Sequence, residues 1–199
     1  MFDSSMFESH HVSRHFEKRC QQSRKKKGQG RNSPQVNRRR ARLAKRLPKL
    51  SLGVHAATHL ILAAQATTGL GADHAHFLPL LAQAATRMRL DVGLADAGYD
   101  SESNHRRARE GLGIRTLIPA TIGRPSKTPL TGRYRRLMRQ QFKHRRHKKV
   151  YGQRWQVETT NSMLKRNLGS ACRARTAHGR KKDLLLRAVT HNLMIVANL

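Results

Sequence analysis

The period of the polar and apolar positions changes several times along the chain, and each change marks an element. Residues 49 to 68 alternate apolar with small or polar side chains on both sides of a turn near Ala57 and Thr58, which predicts a β-hairpin. From Phe77 to Arg89 the spacing becomes helical, with Leu78, Leu81, Ala82 and Ala85 on one face and Pro79 suited to the first turn. Leu90 to Ala95 reads as a short apolar strand that ends at Asp96, ahead of the turn Ala97-Gly98-Tyr99-Asp100. Ser101 is a good N-cap for the next helix, Gly111 to Gly113 stops it, and Ile114 to Pro119 reads as another strand. A Gly- and Pro-containing loop covers residues 123 to 132, and Arg133 to Lys149 is a very basic approach, helical or disordered. A long helix follows over 151 to 168. Beyond a break at Gly169 to Gly179, Leu186, Val189, Leu193 and Val196 repeat at helical spacing, so this last helix is expected to cover the sheet with them.

Strand, loop, hairpin, helix, strand, helix, strand, loop, helix, helix is an order that predicts an α/β domain, a mixed sheet with helices on both faces. A chain of 199 residues holds one substantial core and is short for two, so residues 1–199 read as one domain. The sequence before Asp3 is only Met1-Phe2, and a polar turn follows, so the first strand is expected to be truncated and to end at Asp3.

Charge narrows the partner. Lys and Arg number 41 against 11 Asp and Glu, a formal net charge of +30, which favours a polyanion and above all nucleic acid. A membrane surface is the weaker alternative, because no long apolar run or basic amphipathic anchor stands out. Residues 18–48 carry no acid and include Arg24-Lys25-Lys26-Lys27 and Arg38-Arg39-Arg40, so they read as a basic loop or arm for phosphate contact. Cys20 and Cys172 lack paired spacing and read as free thiols; His74 and His76 have no second pair at ligand spacing, so no structural zinc is implied. Without the n- and h-regions of a secretory signal the chain is expected in the cytoplasm.

Against this cationic background the acids stand out. Glu158 is the only acidic residue between Glu110 and Asp183. On one continuous helix, Arg154, Glu158 and Lys165 would fall at roughly 300°, 340° and 320° relative to Tyr151, one narrow polar face. Val157, Leu164 and Leu168 would fall at roughly 220° to 260°, an adjoining apolar stripe suited to a sheet. The chain's only tryptophan, Trp155, is expected in the core rather than stacked on a base. If the first and fourth strands are neighbours, Asp3, Asp96 and Glu158 converge. Three close carboxylates repel one another, but they suit Mg²⁺ or Mn²⁺, and two such ions about 3.5–4 Å apart activate an attacking oxygen and stabilise a leaving one.

These residues carry a resemblance. Tyr151, Arg154, Glu158 and Lys165, spaced by two, three and six residues, resemble the Tyr-Arg-Glu-Lys signature of the DDE transposases of bacterial insertion sequences. Leu94-Ala95-Asp96-Ala97-Gly98-Tyr99-Asp100 is similar to the segment carrying that family's second catalytic aspartate, with Asp100 a structural residue of the turn. Phe2 to Arg14 resembles the first-aspartate segment, with Ser5-Met6 where Thr-Gly is common. The resemblance implies a ribonuclease H-like fold of the retroviral integrase superfamily. It implies two Mg²⁺ or Mn²⁺ ions on Asp3, Asp96 and Glu158, and contact of Tyr151, Arg154 and Lys165 with the transposon end. It also implies metal-dependent cleavage and strand transfer of DNA, by a homodimer on paired ends. Such proteins carry an N-terminal DNA-binding region ahead of the first aspartate, so this chain is expected to be a truncated copy. The alternative is a non-catalytic, DNA-binding remnant of a transposase.

Overall fold

The computed structural model describes residues 1–9, 47–69, 71–121, 131–144 and 147–198. Apart from their last two residues each, the basic arm expected at 18–48 and the loop expected at 123–132 lie outside the described residues. The chain runs β1 (Phe2–Met6), β2 (Glu8–Ser9), β3 (Pro48–Val54), β4 (Ile61–Thr68) and α1 (His74–Ala85). It continues through β5 (Val92–Leu94), a 3₁₀ turn (Ala97–Tyr99), α2 (Glu102–Arg106), a π turn (Arg107–Gly111) and β6 (Arg115–Leu117). It ends with α3 (Arg133–Lys143), α4 (Lys148–Gly152), α5 (Trp155–Leu168), β7 (Ala171–Cys172) and α6 (Ala177–Ala197).

The fold is α/β, as expected, but among the described residues the strands do not form one large mixed sheet. β1, β3 and β4 make an antiparallel sheet in the order β1-β3-β4, while β5 and β6 pair in parallel and β2 pairs in parallel with β7. A single parallel bridge, Phe2 to Ala95, joins the first sheet to the β5–β6 pair. The expectation that β1 ends at Asp3 is also corrected. Asp3 is the second of five strand residues, and its partner across the ladder is Leu52. Pairing with β3 continues to Met6 opposite Lys49, so hydrogen bonding to the hairpin carries Ser4, Ser5 and Met6 as strand.

Alternation along the strands builds a core on each face. On one side Phe2 and Ala63 meet Phe77, Leu80, Leu81 and Ala84 of α1, together with Tyr99, Ala108, Ile114 and Ile118. On the other side Leu50, Leu52 and Val54 pack with Met138 of α3, Val157 and Leu164 of α5, and Leu184 and Ala188 of α6. Gly53 faces Phe2 across the ladder, where a Cβ would lie 2.7 Å from the Phe2 ring, so only glycine lets that ring seat against Phe77 at 5.2 Å. Asp3, one residue on, belongs to the α5 side.

Three helices depart from their sequence pattern. α1 starts at His74 rather than Phe77, because buried Lys49 of β3 pairs with Asp73 and donates to the Gly71 carbonyl at 2.9 Å, fixing the helix entrance on the sheet. Pro79 thus sits in the second turn on the exposed side, where loss of its N–H is tolerated. The helix expected over 151–168 is broken at Gln153 and Arg154 into α4 and α5, held by three-residue hydrogen bonds from Arg154 N to Tyr151 O and from Val157 N to Arg154 O. α6 does cover the sheet, but not with the predicted stripe: Leu186 and Leu193 are 65% and 64% exposed, and Val189 and Val196 are also exposed. Its inward face is Leu184, Arg187, Ala188 and His191. Polar anchors choose that face. Asn192 bonds both the N–H and the carbonyl of Ile61, at 2.8 and 2.9 Å, and His191 Nε2 donates to the His59 carbonyl at 3.1 Å. Arg187 donates to the carbonyls of Gly169 and Ala171.

Candidate active site

Asp3 is placed by β1, Asp96 by the end of β5, and Glu158 by the first turn of α5. The bridge between Phe2 and Ala95 sets the first two side by side, since each carboxylate follows a bridged residue directly. α5 packs on β1 and β3, which brings Glu158 to the same end. The three carboxylates act on one another: burial raises the Asp3 carboxyl above its ordinary value, a hydrogen bond from the Ser4 N–H and the Arg154 charge oppose this, and Glu158 and Asp96 push it up again.

Each carboxylate is held differently. Asp96 is exposed, and its Oδ1 accepts from the Ala97 N–H at 2.7 Å, capping the 3₁₀ turn. Glu158 accepts from Arg154 Nη2 at 2.6 Å and keeps 52% of its side chain exposed. Asp3 is half-buried, and its Oδ2 accepts from Asn161 Nδ2 at 3.2 Å. Nothing in the composition or the resemblance points to Asn161. Its position three residues after Glu158 on a helix face is the signal that would have found it.

Arg154, in the turn before α5, sits among these acids. Burial acts to lower its guanidinium, and Tyr151, Glu158 and Asp96 outweigh that and raise it. Tyr151 is half-buried, its ring edge-on to Phe142 at 4.8 Å and its hydroxyl donating to the Ala95 carbonyl at 3.4 Å; burial raises its phenol. The break at 153–154 therefore leaves Tyr151, Arg154 and Glu158 together despite the loss of one continuous helix. Lys165, two turns further along α5, lies with Nζ 5.2 Å from the centre of the Phe7 ring. Trp155, expected in the core, is 56% exposed beside Arg154. The core position of this turn goes to Val157 instead, and the indole lies on the surface.

Asp100, four residues beyond Asp96, has the structural place expected of it. It is fully buried and accepts from Arg135 Nε at 2.8 Å, from the Thr121 N–H at 2.8 Å and from His105 Nε2 at 3.4 Å. Because a carboxylate only accepts, the His105 proton lies on Nε2, and its Nδ1 takes the Thr116 hydroxyl at 2.7 Å. This network fastens the segment after Asp96 to α2, β6 and α3.

Carboxylate oxygens are the donor set that suits a hard divalent cation. Among the described residues, no three His, Cys, Asp or Glu are gathered closely enough to form a ready binding group for one ion. Among the same residues no helix is long and apolar enough to cross a membrane.

The α/β domain thus brings acidic side chains from two neighbouring strand segments and a later helix close to one another in a chain of net charge +30. A family model described as the transposase DDE domain matches residues 2–193. The chain belongs to that family. No curated protein and no solved structure matches it.

Proposed function

We propose that the chain is the catalytic domain of an insertion-sequence transposase, a metal-dependent enzyme that cleaves and rejoins DNA strands. The observation that carries this reading is the meeting of Asp3, Asp96 and Glu158 in one another's field at the junction of β1, β5 and α5. Burial first, and then the neighbouring charges of Glu158 and Asp96, raise the Asp3 carboxyl, an arrangement that a divalent cation relieves. Asp3, Asp96 and Glu158 would hold two Mg²⁺ or Mn²⁺ ions, and a pair of ions spreads its ligands over a wider site than a single ion does. Bound there, the pair would supply an activated water or 3′-hydroxyl and stabilise the departing phosphodiester oxygen.

The remaining residues orient the strand. Arg154 offers a guanidinium beside Glu158 that is suited to a phosphate, with Tyr151 in α4 just ahead of it and Lys165 two turns further along α5. Exposed Trp155 adds an aromatic face at this point, so stacking on a base now fits it better than a core role. The single Phe2–Ala95 bridge supports reading β4-β3-β1-β5-β6 as one strand order of ribonuclease H type, loosely joined in the middle. DNA is the proposed partner, as transposon end and target, bound by a homodimer on paired ends in the cytoplasm. The basic segment at 18–48 is proposed to add phosphate contacts.

The test is nicking of supercoiled plasmid by the purified chain in Mg²⁺ or Mn²⁺, beside Glu158→Gln, which removes the charge with little change of shape. Nicking by the parent that Glu158→Gln abolishes supports the proposal. Intact DNA binding without nicking by either favours the remnant reading.

A further inference from the structure

We propose that Asn161 is a positioning residue for Asp3, so that α5 sets the spacing of two of the three carboxylates, Glu158 directly and Asp3 through the amide. The inference rests on the reading of Asp3 and Glu158 as cation ligands.

Asn161 is only 6% exposed, and its Nδ2 donates to Asp3 Oδ2 at 3.2 Å. A carboxylate has no proton to give, so the amide must face it through nitrogen, and its orientation is set by Asp3. The opposite end of the amide carries the argument. Asn161 Oδ1 is buried and has no hydrogen-bond partner in the protein. A leucine of similar volume would fill this place between Val157 and Leu164 on the core side of α5 and would remove the unmet Oδ1, losing only the bond to Asp3. Packing alone therefore gives no reason for an amide here, whereas orienting Asp3 does. By occupying one edge of Oδ2, Asn161 holds the Asp3 carboxyl in one direction and leaves its remaining lone pairs free. Partners that orient ligand carboxylates in this way set metal affinity without touching the ion.

The measurement is Mn²⁺ binding by the purified full chain, followed by electron paramagnetic resonance of the free ion, for the parent, Glu158→Gln, Asn161→Leu and Asn161→Ser. Thermal midpoints are recorded alongside. Asn161→Leu is expected to weaken Mn²⁺ binding by about 10- to 100-fold while its midpoint stays at or above the parent's. A purely structural asparagine would lower the midpoint and leave the affinity of the folded variant unchanged. Should Asn161→Leu fail to fold, Asn161→Ser, smaller and unable to reach Asp3, is expected to show the same loss of affinity. Variants that fold and bind Mn²⁺ like the parent, while Glu158→Gln binds it weakly, overturn this inference alone. A parent chain that binds no Mn²⁺, or binds it independently of Glu158, overturns the proposed function and this inference with it.

Discussion

Two aspartates four residues apart should respond in opposite ways to the same substitution. Asp100 is fully buried, with acceptor bonds from Arg135, Thr121 and His105, and Arg135 is itself only 22% exposed. Removing one partner of a buried ion pair costs about 3–5 kcal/mol, because the other charge stays behind uncompensated. Residual solvent at Arg135 screens part of this, which places Asp100→Ala near the lower end, at about 3 kcal/mol. Asp100→Asn keeps an acceptor for Arg135 and Thr121 but loses the charge opposite Arg135 and turns its NH₂ toward His105 Nε2, a loss of about 1–3 kcal/mol. Asp96→Asn is different: the side chain is exposed and caps only the Ala97 N–H, which asparagine also caps, so stability should move by no more than about 0.5 kcal/mol. Urea unfolding at pH 7 gives the three values, and plasmid nicking by Asp96→Asn should be lost. The Asp100 carboxyl also lies below its ordinary value: burial acts to raise it, and the bonds from His105, Thr121 and Arg135 outweigh that. Its contribution is therefore present above the unfolded carboxyl range, about 3.9, and is lost as pH falls through the folded value. Asp100→Asn as stable as the parent, or Asp96→Asn as damaging as Asp100→Ala, would refute the division of roles.

Arg187 joins α6 to the α5–β7 junction through Asp183, Gly169 and Ala171, and Arg187→Leu should cost about 2–4 kcal/mol in urea unfolding by stranding Asp183 and two carbonyls. The Cys172 thiol is buried, which with nearby Asp183 pushes it from 9.0 up to about 11, so alkylation by iodoacetamide at pH 8, read by mass spectrometry, should be at least about a hundredfold slower than in denaturant. Burial holds the His191 imidazole below its ordinary value, so the folded chain binds fewer protons than the unfolded chain just below pH about 6.5; stability should fall as pH drops, and the fall should be shallower in His191→Gln. Duplex DNA binding should weaken steeply with salt and show little sequence preference; an affinity equal at 50 and 200 mM salt, values chosen around the physiological range of about 150 mM, would contradict the electrostatic reading.

Much of this protein is set within a few residues at a time. The hairpin at 49–68 and the strand ending before Asp96 follow from local period and turn chemistry, while the resemblance of the Tyr-Arg-Glu-Lys residues and of the segment around Asp96 carried the family and the structural place of Asp100. What lay beyond that reach was decided by contacts between distant segments. β1 extends past Asp3 because β3 pairs with it to Met6. α1 starts a turn early because Lys49 of the sheet holds Asp73. The apolar stripe of α6 faces outward while its opposite face carries His191 and Asn192, which satisfy backbone groups of His59 and Ile61 more than a hundred residues earlier, and buried peptide groups need such partners. Asn161 belongs to the same class: only the packing of α5 on β1 makes it a neighbour of Asp3. Periodicity says which residues of a helix share a face, and the polar partners waiting on the rest of the fold select which face is buried.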